Sequence, residues 1–207
     1  MCGMAYHDDD YKYYIRNLNN TGWKEVDASS PLIKGYDFHG TLFMRQKEDK
    51  LYEFAYAYPG TNSFEDGIED VAQLIGLSTR YSSTIKVAEI LSKRFTNFEL
   101  TFLGHSLGGG EAAASSIKTG RLAITFNPAA LSITTRVKHN LNSDGNIINY
   151  ITYKQNSNGS ISMADAVNVG QSIYDMKLPG EIIPIIIDYK NGIDAHRIKT
   201  IIEYLKP

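Results

Sequence analysis

The chain predicts an α/β fold: a mostly parallel central sheet with helices on both faces, opened by an antiparallel hairpin. Three observations carry that expectation. Short apolar runs at Phe98–Leu103, Leu122–Phe126, Ile147–Tyr153 and Ile182–Ile187 alternate with helical or irregular crossovers, the pattern of parallel strands buried on both sides. Gly40–Gln46 and Leu51–Tyr58 alternate apolar and polar residues about Lys47-Glu48-Asp49-Lys50, as two strands of a hairpin do. Finally, the run Phe98–Leu103 passes into Gly104-His105-Ser106-Leu107-Gly108 and then Glu111-Ala112-Ala113-Ala114, a strand, a G-x-S-x-G turn and a segment of strong helix formers.

The remaining elements follow in order. Asp8 to Leu18 reads as a short helix with an acidic run at its start, ended by Asn19-Asn20-Thr21-Gly22. Tyr58-Pro59-Gly60-Thr61-Asn62 breaks the second hairpin strand, and Asn62 or Ser63 caps a helix whose buried stripe is Ile68, Val71, Ala72 and Ile75. A second helix covers Tyr81 to Phe95, with Ile85, Ala88, Ile90 and Leu91 inward. Pro184 marks the strand Ile182–Ile187 as an edge or a bulge. Arg197 to Leu205 is the last helix. Between Lys154 and Gly180 lies a long irregular segment, polar and low in complexity where it begins, of the kind that is functional or mobile in compact domains.

Composition narrows the function classes. The 207 residues make one domain, 1–207, with 43% apolar and 21% charged residues, as in ordinary globular proteins. A net charge of −2 gives no electrostatic case for nucleic acid. The single cysteine, Cys2, excludes an internal disulfide. No apolar run approaches the ~18–20 residues of a transmembrane helix. The start, MCGMAYHDDDYKYY, is acidic and aromatic where a signal peptide is basic and then apolar, so the expectation is a chain made in the cytoplasm or exported by a leaderless route. There is no HExxH, Cys/His cluster or phosphate loop, and neither metal nor cofactor is expected. The 14 tyrosines read as core or half-buried surface.

Ligands of open α/β sheets sit at the carboxyl ends of the strands. There the chain delivers Ser106, then Asp165 and Asp175, then Asp188, Asp194 and His196, and from the hairpin Tyr58-Pro59-Gly60-Thr61. Nucleophile, acid, histidine is the order of α/β-hydrolases. A glycine-rich turn with an idle serine would give the same five letters; the strand before and the helix after favour the nucleophile. A serine hydroxyl needs an imidazole to take its proton, and the imidazole needs a carboxylate to fix its tautomer. Of the five histidines, His105 points away from the nucleophile and reads as packing. His7 and His39 come too early, and His139 lies in a basic surface stretch. His196 remains. Asp165 is the preferred acid, Asp175 and Asp188 compete, and Asp194 is too close in sequence to His196. The oxyanion formed on attack needs two donors: the amide of Leu107 is one, and the Gly60–Thr61 region supplies the other.

With these residues the chain resembles the class 3 lipase family of α/β-hydrolases, and its small bacterial members in particular, from about Tyr52 to Leu205. Tyr58-Pro59-Gly60-Thr61 and the acidic stretch Glu65–Val71 are similar to the family's first turn and acidic helix. Gly104–Gly109 is similar to its nucleophile turn, Ile124–Ala129 to its T-F-[GN]-x-P segment, and Asp165-Ala166-Val167 to its D-x-[VIL] acid. Pro59 and Gly67 stand where the family often has Arg and Trp. The resemblance implies Ser106, Asp165 and His196 as catalytic residues and Thr61 with Leu107 as the oxyanion hole. It further implies hydrolysis of acylglycerol or phospholipid esters at a membrane interface. Compact leaderless members also act as effector toxins neutralised by an immunity protein, and a non-catalytic pseudo-hydrolase that binds a lipid or a partner is the remaining alternative. A mobile cover is expected at Leu74–Ser82 and in the Gln155–Gly180 segment.

Overall fold

The computed structural model describes residues 1–7, 10–27, 29–34, 39–48, 50–60, 78–165, 178–189 and 191–205. Their strands form one sheet in which β1 (Lys24–Glu25), β2 (Thr41–Gln46), β3 (Tyr52–Tyr58), β4 (Glu99–His105), β5 (Leu122–Phe126) and β6 (Asn146–Gln155) are neighbours in that order. Both β7 (Ile161–Met163) and β8 (Glu181–Ile186) pair with β6. The β1–β2, β2–β3 and β6–β7 pairs are antiparallel; β3–β4, β4–β5, β5–β6 and β6–β8 are parallel. The expected hairpin and mixed, mostly parallel α/β sheet are both present.

The pleat sorts side chains to two faces. Phe54, Tyr56 and Tyr58 of β3 and Leu100 and Phe102 of β4 pack against α2 (Ser78–Arg94) and α3 (Leu107–Thr119) through Tyr81, Ile85, Leu91, Phe95 and Ala112 to Ala114. The alternate residues Ala55, Ala57 and Leu103 face the other way. They meet Met4, Tyr14 and Leu18 around α1 (Tyr11–Leu18), and Ile198 and Ile201 of α6 (Ile198–Tyr204). Helices therefore cover both faces, and the sheet is the middle layer.

Several elements depart from the sequence reading. The stretch around His139 is a helix, α4 (Ile133–His139), whose N-cap Ser132 hydroxyl accepts from the Thr135 amide at 3.1 Å; His139 is half-buried in its last turn. The polar insertion after Lys154 is not irregular where it is described. The strand β6 runs on to Gln155, a tight turn with Gly159 at φ 81° reverses the chain, and β7 returns antiparallel. A separate short helix, α5 (Gly192–His196), precedes α6, started by the Asn191 side chain accepting from the Asp194 amide at 2.9 Å. The helix expected after Asn62, residues 74–77 of the cover expected at Leu74–Ser82, and residues 166–177 of the second cover lie outside the described residues; the rest of the first cover is the opening of α2. Among the described residues, no helix is long and apolar enough to cross a membrane.

Candidate active site

The carboxyl ends of the parallel strands meet at one edge of the sheet, with Tyr58 opposite Gly104 and His105 opposite Phe126. Ser106 stands where β4 turns into α3. Its backbone is at φ 57°, ψ −127°, a left-handed region that side chains avoid. What holds it there is backbone hydrogen bonding: the Ser106 amide donates to Phe126 O at 3.2 Å, and its carbonyl accepts from the amides of Gly109, Gly110 and Ala129 at 2.9, 3.2 and 2.9 Å. The flanking glycines are required by space. A Cβ on Gly104 would lie 2.0 Å from Gly108 O, and one on Gly108 would lie 2.4 Å from Tyr58 O. Ser106 is 1% exposed, and its Oγ has no hydrogen-bond partner among the described residues. A buried hydroxyl left in that condition is rare in a merely structural turn.

The structure brings Asp165 and His196 together. Asp165 follows β7, whose hairpin carries it back to the sheet edge; the Ala164 amide donates to Thr152 O at 2.9 Å. His196 ends α5, which follows β8. The His196 Nδ1–H donates to Asp165 Oδ2, and the residues are 1% and 0% exposed. With Nδ1 carrying the proton toward a carboxylate, Nε2 of a neutral ring is a proton acceptor. Of the competing acids, Asp188 is exposed, with its amide donating to the Tyr204 hydroxyl at 2.9 Å. Asp194 sits in the first turn of α5, where its Oδ1 accepts from the Thr200 hydroxyl at 3.4 Å. Asp175 and Thr61 lie outside the described residues. Leu107, buried, is the first residue of α3, a position whose amide has no carbonyl to meet within the helix.

Four residues around His196 were not picked out as functional by sequence reasoning. The sequence reading of His105 as packing is right about burial and incomplete about role. Its Nδ1 accepts from the Tyr6 hydroxyl at 2.6 Å, and its Nε2–H donates to the His196 carbonyl at 2.5 Å. Burial, and then the nearby His196 ring, hold the His105 pKa well below the ordinary histidine value, so the ring is neutral with its proton on Nε2. Asn127, at φ 40° just past β5, donates from Nδ2 to the Ala195 carbonyl at 3.0 Å and to Thr152 Oγ1 at 3.2 Å. Its Oδ1 accepts from the Thr152 amide at 3.0 Å, and the Thr152 hydroxyl reaches the Ala195 carbonyl at 3.2 Å. Strands β4 and β6, and the residue just past β5, thus each supply a donor to the two carbonyls that end α5. The sequence signal for Asn127 is its place in the strand-end segment Thr125-Phe126-Asn127-Pro128-Ala129; Tyr6 and Thr152 carry no local signal.

No group of three or more His, Cys, Asp or Glu side chains that could hold a metal occurs among the described residues. The arrangement offers instead a buried hydroxyl on a strained turn and an imidazole oriented by a carboxylate, on one sheet edge. Two comparisons bear on it. A relative, an "Extracellular phospholipase A1" of Serratia liquefaciens, is 34% identical over 108 residues, or 52% of this chain; the aligned part spans 32% of that protein's length. The model of the phospholipase-like family, described as a Tle-like phospholipase domain, matches residues 10–194, and the chain belongs to that family.

Proposed function

We propose that the protein is a serine carboxylester hydrolase of phospholipase type with an α/β-hydrolase fold, and that Ser106, His196 and Asp165 act as its triad. The observation that carries this reading is the buried Asp165–His196 pair at the same sheet edge as the Ser106 turn. As Ser106 Oγ attacks the acyl carbon, His196 Nε2 takes its proton, and Asp165 holds the imidazolium. The carbonyl oxygen becomes an oxyanion received by the amide of Leu107 and by Thr61, each donor contributing roughly 10²–10³ in rate. His196 returns the proton to the departing alcohol, leaving an acyl-Ser106 ester, which water cleaves by the same two proton transfers in reverse roles. The class 3 lipase resemblance, the family match and the relative's name all point to a lipid acyl ester as substrate.

Labelling with a fluorophosphonate tests it. Wild type takes the label and Ser106→Ala does not, with both melting alike; an unlabelled wild type refutes the mechanism and leaves the pseudo-hydrolase. Phosphatidylglycerol or phosphatidylcholine vesicles and a triacylglycerol, offered to the same two proteins, separate phospholipase from lipase. A second reading, an antibacterial effector held in check by an immunity protein, is favoured by the Tle-like description of the family. Its mark is growth arrest when wild type, but not Ser106→Ala, is exported to the bacterial periplasm; unimpaired growth refutes it.

A further inference from the structure

Helix α3 carries one carboxylate, Glu111, among glycines, alanines and serines, well before Lys118 in its last turn. Glu111 is 0% exposed, in a helix whose next three residues are core alanines. Its Oε1 accepts from Arg80 Nε at 2.8 Å and from the Thr84 hydroxyl at 2.9 Å, and His39 Nε2 stands 3.4 Å away. The same Arg80 donates from Nη2 to the Pro59 carbonyl at 2.7 Å. Burial, and next the adjacent Glu111, push the neighbouring Tyr81 phenol up.

Taking the Glu111 carboxylate out of water is costly even beside Arg80, whose side chain keeps 32% exposure, and an apolar pair of like volume fills such a place at least as well. Packing alone therefore does not explain these two residues. Their positions do. Glu111 lies one helical turn after Leu107, on the same face, so it is rigidly tied to the amide proposed as one oxyanion donor. Pro59 immediately precedes Gly60 and Thr61, the proposed second donor. Arg80 joins the two, and with Pro59 it flanks residues 60–79. From Leu107 to Glu111, Arg80, Pro59 O and Gly60 runs an unbroken path of covalent and charge-assisted contacts, in which Arg80's planar fork serves two acceptors at fixed angles.

We propose that Arg80 and Glu111 are positioning residues that set the spacing between the two halves of the oxyanion hole. The inference rests on the serine-hydrolase reading of Ser106. Neither side chain touches substrate; each acts through the backbone it anchors. Their loss is therefore felt in the transition state, where the oxyanion exists, and not in substrate binding.

The test separates positioning from folding. Glu111→Leu alone leaves Arg80 without its carboxylate and lowers Tm. The double variant Arg80→Met/Glu111→Leu replaces the ion pair by an apolar pair and brings Tm back toward wild type. With a soluble short-chain ester, the double variant is expected to lose 10- to 10³-fold in kcat with KM within about twofold. Its rate of fluorophosphonate labelling falls in parallel, since the phosphonyl oxygen uses the same hole. A double variant with wild-type Tm, kcat and labelling rate overturns the proposal. Should that variant not fold, Arg80→Lys keeps the charge but cannot serve both acceptors, and it is expected to lose at least tenfold in kcat with little change in Tm; unchanged kcat overturns the proposal equally. A wild type that takes no label overturns the reading of Ser106 beneath it, whereas a labelled wild type beside an equally labelled variant overturns the spacing role alone.

Discussion

Replacing His105 by Phe keeps an aromatic ring in the core and removes two hydrogen bonds. The His196 carbonyl loses the donor 2.5 Å away, and the Tyr6 hydroxyl loses its acceptor at 2.6 Å. A buried polar group that loses its partner costs about 1–3 kcal/mol. Because Tyr6 is only half-buried, the sum is about 2–5 kcal/mol, a large part of the ~5–15 kcal/mol by which domains are stable. For a chain of this size that lowers Tm by roughly 5–20 °C. Activity is expected to fall further than stability explains, because the lost donor holds the residue that carries the imidazole, and a shift of about 1 Å at a catalytic group costs on the order of 10² in rate. His105→Gln is the control, since its amide can still donate toward the His196 carbonyl. Thermal melts and ester turnover below the melting range decide the matter, with Gln expected to restore most of what Phe loses. A Phe variant that melts and turns over like wild type refutes the reasoning, and so does a Gln variant as damaged as Phe.

Asp165→Asn is expected to reduce turnover about 10³–10⁴-fold with the fold intact, because the amide favours the wrong tautomer of His196; Asp188→Asn, exposed, is expected to change it less than threefold, and the reverse ranking in steady-state assays would reassign the acid. The depressed pKa of His105 has a pH signature. Unfolded, this ring binds a proton below about pH 6.5, while folded it stays neutral to well below that, so its contribution is intact above pH 6.5 and is lost as pH falls. Unfolding free energies from urea titrations between pH 7 and 5 are expected to fall more steeply in wild type than in His105→Gln, by up to about 1.4 kcal/mol per pH unit; parallel profiles count against a buried neutral ring. Burial pushes the Cys2 thiol up to about 11, so at pH 8 a disulfide reagent is expected to react slowly with native protein and rapidly in denaturant. Fast native reaction would show the N-terminal segment opening readily.

Local pattern located most strands because strand periodicity and turn residues are local quantities. The run Leu122–Phe126 is a strand with those bounds, and the hairpin halves differ by one residue at their starts. Some elements escaped, β1, β7, α4 and α5 among them. The strand β7 is three residues long and defined by its pairing to β6, which no window of sequence displays; it is nonetheless what returns Asp165 to His196. The helix α4 exposes Ile133 and Val137, so it lacks the apolar stripe that marks a helix packed on a core. The break at Arg197, at φ −62°, ψ 129°, falls where the last helix is expected to begin; the helix that escaped is α5, five residues long and too short to show a period. Of the proposed triad, Ser106 and His196 are the members that chain order and motif single out. Asp165 was preferred only through the setting Asp165-Ala166-Val167. The partners Tyr6, Asn127 and Thr152 meet from sequence separations that only the folded sheet edge brings together. Glu111 looked like one more helix former, since nothing in the sequence says that its face is buried.

The backbone angles at Ser106 imply a trade-off between durability and chemistry. A residue held in such a region costs of the order of 1–3 kcal/mol, and glycine alone is at ease there. Ser106→Gly is then expected to give a protein more resistant to unfolding and, on the proposed mechanism, devoid of ester hydrolysis. On the proposed role of Ser106 as nucleophile, stability and reactivity pull this position in opposite directions. Any effort to make the protein hardier has to leave that penalty in place and find its gains elsewhere, in the hairpin, the exposed face of α4 or the chain ends.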